Sequence, residues 1–116
     1  MGYFRYRAVS LALLALLAFA DGRADAAGSS GTLVPTGVHL EGGNVYIFGQ
    51  FQNPDQCSTN GVVVLQPANA EELDRMMSMA LTATASGKKI SMWLIGCGPV
   101  PWHPSAPRAV SMGFGG

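Results

Sequence analysis

The stretch GVVVLQPANAEELDRMMSMALTATASGKKISMWLIG, residues 61–96, decides the fold, because its hydrophobic pattern changes period twice. Val62-Val63-Val64-Leu65 is a short, continuous, β-branched run, which reads as a strand buried on both faces. Asn69 then stands as an N-cap with Glu72 three residues on, and Glu71 and Glu72 occupy the first turn, where the helix dipole favours acids. Leu73, Met76, Met77, Ala80 and Thr84 recur at helical spacing, and Gly87 followed by Lys88-Lys89 supplies the stop, so the spacing predicts a helix of about 17 residues. Ile90 to Ile95 returns to strand composition and ends at Gly96-Cys97-Gly98.

Upstream, Val34, Thr36, Val38 and Leu40 fall on one face of an extended chain with His39 on the other. Glu41-Gly42-Gly43-Asn44 offers turn residues that accept positive φ. Val45, Ile47 and Phe51 then alternate with Tyr46 and Phe48, which makes the two runs a hairpin. Asn53-Pro54-Asp55 and Ser58-Thr59-Asn60-Gly61 are turn chemistry on either side of Cys57. Downstream, Pro99 to Pro107 holds four prolines around Trp102 and His103 and reads as a loop, because proline brings no donor to a ladder. Val110, Met112 and Phe114 alternate as a last strand.

The resulting order, strand-strand-strand-helix-strand-strand (β-β-β-α-β-β), is that of the OB-fold, a five-stranded Greek-key barrel with its helix between strands three and four. The expected class is therefore α+β, mainly β, in one OB-like domain over residues 32–116. A small α+β sheet with one packed helix fits the same order, and the barrel is favoured over it because closure removes the exposed edges that burden a small open sheet.

The N-terminus carries Arg5 and Arg7, an apolar run from Ala8 to Ala20, and an Ala24-Asp25-Ala26 cleavage pattern, the three zones of an export signal. The apolar run holds about 13 residues against the roughly 20 a membrane-crossing helix needs, so no membrane span is expected after processing. Residues 1–26 are read as signal peptide and 27–31 as a flexible Gly/Ser leader. The protein is expected to be secreted or periplasmic. In that oxidising setting the two cysteines, Cys57 and Cys97, are expected to form a disulfide. The loop it closes holds about 40 residues, for which chain entropy gives about 4 kcal/mol.

With the signal removed the chain is close to neutral and Lys88-Lys89 is its only basic pair, so nucleic acid is not an expected partner. Glu71, Glu72 and Asp74 crowd a helix start where the dipole accounts for them, and neither a Gly-x-Ser-x-Gly elbow nor a phosphate-cradling glycine loop is present. The chain is read as non-enzymatic, without cofactor or metal. Met76, Met77, Met79, Met92 and Met112 would serve copper only if they met at one point, and helical spacing accounts for Met76 and Met77 as core.

Cys57 ahead of the Val62–Leu65 strand, the helix after it, and Ser86-Gly87-Lys88-Lys89-Ile90 leading to Cys97 together resemble the OB-fold B subunits of AB5-type bacterial toxins, in particular the subtilase-cytotoxin-like branch, and related small exported proteins. The resemblance covers most of the chain beyond the signal. It implies a homo-oligomeric ring, a pentamer, that binds glycan. From the residues themselves, Trp102 and His103 are the candidate binding residues, because an aromatic in a proline-stiffened loop can stack on a sugar or fill a partner's pocket; the plain alternative is that Trp102 caps the barrel end. His39 is a lone outward histidine with no role assigned. Two functions stand open: a ring-forming module recognising glycan or protein, and a monomeric periplasmic OB-fold structural or stress-associated protein without a glycan ligand.

Overall fold

A computed structural model of the chain describes residues 26–115. All but the last residue of the expected signal segment lies outside the described residues. The strands are β1 (Gly28–Leu33), β2 (Gly37–Glu41), β3 (Asn44–Phe48), β4 (Val62–Leu65), β5 (Ile90–Val100) and β6 (His103–Phe114), with one helix, α1 (Ala70–Ser86), between β4 and β5. They form one mixed sheet in the order β1-β5-β6-β4-β3-β2. Every neighbouring pair is antiparallel except β4 with β6, which α1 and β5 separate in the chain.

The helix is where its caps place it. Asn69 Oδ1 accepts a hydrogen bond from the Glu72 amide at 2.8 Å. Gly87 stands in the left-handed region at φ 70°, and the Lys88 amide turns back to the Ala83 carbonyl at 3.1 Å. Met76, Ala80 and Ala83 are its buried stripe. They pack with Val45, Ile47, Phe51, Val63, Leu65, Ile90, Met92, Leu94 and Ala109 of the sheet side, the main core of the molecule. All four residues of β4 are buried. Val63 and Leu65 face this core while Val62 and Val64 join a second cluster with Tyr46, Val100 and Ala106, so both faces of β4 are covered as its composition required.

Three expectations need correction. The segment read as a leader is ordered from Gly28: β1 pairs with β5, Gly28 opposite Leu94 and Leu33 opposite Ile90. Its apolar content could not reveal it, because a buried serine anchors it. Ser30 is 1% exposed, its Oγ accepting from the Met92 amide at 2.9 Å and donating to the Gly31 carbonyl at 2.8 Å. Gly31, at φ 80°, allows the bulge between Ser29 and Thr32. The strand read from Val34 starts only at Gly37, after a buried Pro35, and Leu40 at its end is 61% exposed, beyond the reach of the core.

The proline segment is the third. Rather than a loop from Pro99 to Pro107, β5 and β6 continue as a long hairpin with Pro101-Trp102 as its turn. Pro104 and Pro107 are tolerated because β4 meets β6 only at Arg108 and Ala109, which leaves residues 103–107 of β6 without a ladder partner on that side, and Pro101 sits in the turn itself. Register shifts on β5 between Trp93 and Val100, with Gly96 at φ 68°, bend the hairpin, and its outer part packs on the sheet face opposite α1.

The α+β, mainly β class agrees with the sequence reading. Six strands in the order β-β-β-β-α-β-β stand in place of the five expected, and the sheet's two edge strands, β1 and β2, share no ladder. The sheet is nevertheless far from flat. Leu33 ends the β1 ladder, and the Thr36 amide donates to the Phe48 carbonyl at 2.9 Å, beginning the pairing of the opposite edge. Three Cα steps span at most about 11 Å. Edges of a flat six-stranded sheet would stand about 24 Å apart. The sheet must therefore curl until its edges approach.

Candidate binding surface around Trp102

The β2–β3 hairpin sets the platform. Its register places His39 opposite Tyr46 and Gly37 opposite Phe48, and the alternation of the strands sends Val38, Val45 and Ile47 toward α1. His39, Tyr46 and Phe48 are left on the other face, where the β5–β6 turn brings Trp102. The indole centroid lies 5.0 Å from the His39 ring, 5.3 Å from Tyr46 and 5.6 Å from Phe48. The first two contacts are edge-to-face, at interplanar angles of 70° and 71°, the arrangement that ring quadrupoles favour.

Burial grades across this cluster. Tyr46 is 3% exposed and belongs to the second core, whereas Trp102 keeps 45% of its surface in water and the His39 side chain 41%. His39 Nε2 lies 3.5 Å from Glu41 Oε1, so a carboxylate stands beside the imidazole at the open side of the group. The surface thus offers an apolar ring for stacking, a ring nitrogen that can donate or accept, and a charged acceptor.

The turn that carries Trp102 is anchored from behind. The Cys57–Cys97 disulfide joins the 49–61 loop to β5, with Cα atoms 5.7 Å apart. Asn53 shapes that loop: its Oδ1 accepts from the Cys57 amide at 2.9 Å and its Nδ2 donates to the Cys57 carbonyl at 2.8 Å. Ser58 then ties the loop to β6 through Ser105. Asp55 accepts from the Gly96 amide at 2.6 Å through one oxygen and from the Ala26 amide at 2.5 Å through the other, linking the β5 bend to the chain entering β1.

Of the two residues singled out from the sequence, the structure puts Trp102 in the cluster. His103 opens β6, exposed, paired with Val100, and is in no ring contact among the described residues. Sequence reasoning missed His39, Tyr46 and Phe48 as partners of Trp102. Their common face was readable from the alternation of the hairpin. The arrival of Trp102 was not, since it depends on the bend in β5. No family model, no curated protein and no solved structure matches this chain.

Proposed function

We propose that this chain is an exported, non-enzymatic binding module whose ligand-contacting surface is the cluster of Trp102, His39 and Phe48, and that its ligand is a glycan. The observation that carries the reading is the half-exposed indole seated on three rings. Such an indole is already ordered, so little further side-chain entropy is lost when a ligand stacks on it. The C–H face of a sugar ring suits the indole, and its hydroxyls suit the imidazole and carboxylate of His39 and Glu41. The disulfide and the lack of a membrane-length apolar helix among the described residues are compatible with export.

In this reading the curled sheet is an OB-like barrel in which β1 and β2 are two halves of one bent strand, broken at Pro35 and bridging the two edges. The parallel β4–β6 pair and a helix between β4 and β5 support that assignment. Assembly into a ring, as the resemblance to toxin B subunits implies, would use apolar groups left in water, among them Trp93 and Phe114 at 46% and 50% exposure.

The test is a glycan array with the oxidised protein and its Trp102→Ala variant, beside light scattering of the same samples. Binding that is lost in the variant while its fold is retained supports the module. Wild-type protein that is monomeric and binds no glycan favours the structural or stress-associated alternative.

A further inference from the structure

On the side of the sheet that carries α1, a cleft of about 320 Å³ opens between the first turns of the helix and the last part of β6. Three of its lining residues are Met76, Met79 and Met112. Met76 and Met79 are three apart on the helix and so share a face, while Met112 comes from β6. Met76 is 3% exposed and Met112 packs against the main core, whereas Met79 is absent from that core and lines the cleft instead. The packing of α1 on β6 thus brings three methionines, one of them distant in sequence from the other two, to the wall of one cleft.

We propose that this cleft is a soft-metal site in which the thioethers of Met76, Met79 and Met112 hold a cuprous ion. Thioether sulfur is a soft, uncharged donor that selects Cu(I) over the harder divalent ions. The competing donors are engaged elsewhere or scattered: both cysteines are in the disulfide, and no group of three His, Cys, Asp or Glu gathers among the described residues. The charges around the cleft also fit a cation. Arg75 is held by Glu71 at 2.7 Å, and Glu72 adds a carboxylate that makes no ion pair among the described residues. The site is independent of the Trp102 surface, which lies on the opposite face of the sheet.

The experiment is an anaerobic titration of the oxidised protein with Cu(I) against bicinchoninate, paired with the methionine ε-methyl NMR signals on addition of Ag(I), a redox-inert ion of similar softness. One equivalent of Cu(I) should leave the chelator. Under Ag(I), the methyl signals of Met76, Met79 and Met112 should move while those of Met77 and Met92 stay. Met79→Leu and Met112→Leu conserve volume, so the fold is retained. Each should weaken binding by at least the roughly tenfold that disturbing even the supports of a metal ligand produces. Failure of the wild type to withdraw Cu(I), equal movement of all five methyl signals, or undiminished binding by the folded Met79→Leu variant would overturn the proposal.

Discussion

Ser58 and Ser105 close a ring of three hydrogen bonds between the 49–61 loop and β6: the Ser58 amide donates to Ser105 Oγ at 3.0 Å, Ser58 Oγ donates to the Ser105 carbonyl at 2.6 Å, and the Ser105 amide donates to Ser58 Oγ at 2.9 Å. The pair lies between the disulfide and the Trp102 turn, so it fixes how the hairpin end sits over the β2–β3 face. Because Ser58 Oγ is both donor and acceptor, Ser58→Ala removes two of the three bonds. The site is exposed and water replaces part of what is lost, so the expected cost is about 1 kcal/mol, read from a urea midpoint. Faster amide exchange at Ser105 in the same variant would place the effect at this junction, and an unchanged rate there would contradict the anchoring role.

The disulfide is the larger anchor. Replacing Cys57 and Cys97 together by serine should lower stability by about 4 kcal/mol in the chain-entropy description. A domain this small has little core to spare, so calorimetry should show a large fall in Tm. Reduction of the wild type should reproduce it. A variant that melts with the wild type would show that the loop is held by Asn53, Asp55 and Ser58 without the covalent bond.

Gly98 lets β5 bend over β4. A Cβ there would stand 2.8 Å from Val64 Cγ1 and 3.4 Å from Arg108 Cγ, and Val64 is 0% exposed with nowhere to move. Gly98→Ala should therefore cost about 1–3 kcal/mol by overpacking. The near-UV circular dichroism of the Trp102 group should change with it, since the hairpin end must shift outward. An alanine variant as stable as the wild type, with the same spectrum, would contradict the close approach.

At the helix start, Asn69→Ala removes the acceptor of the Glu72 amide and should cost about 1 kcal/mol by denaturant unfolding, whereas Asn69→Asp should be nearly neutral. Equal loss in both variants would point to a role for Asn69 in the adjoining cleft rather than in capping.

Trp102→Ala should leave a folded protein. Each edge-to-face ring contact contributes about 0.5–1.5 kcal/mol, and nearly half of the indole is already in water. The loss should be seen as greater solvent access to Tyr46, measured by quenching of tyrosine emission in the variant. Tyr46 that stays as protected as before would mean that Val100 and Ala106 alone cover it.

The sequence by itself determined the elements whose signals are local. Asn69 and Gly87 bound α1 because capping is chemistry between residues a few positions apart, and the β2–β3 hairpin follows from alternation around Glu41-Gly42-Gly43-Asn44. The four-residue core strand β4 is legible for the same reason, since burial on both faces requires an unbroken apolar run. The pairing of Cys57 with Cys97 followed from their number and the expected compartment. Tertiary structure alone decided the rest. Gly28 to Gly31 became a strand because β5 offered a free edge and Met92 an amide for Ser30, neither of which is written in the Gly/Ser segment. Pro104 and Pro107 entered β6 because that strand, paired with β5 on one side, has no ladder partner on its β4 side along residues 103–107. Trp102 reached His39, and Met112 reached Met76 and Met79, through the bend of β5 and the packing of α1. Those meetings join residues distant in the chain, and no periodicity along the sequence encodes a distance across the sheet.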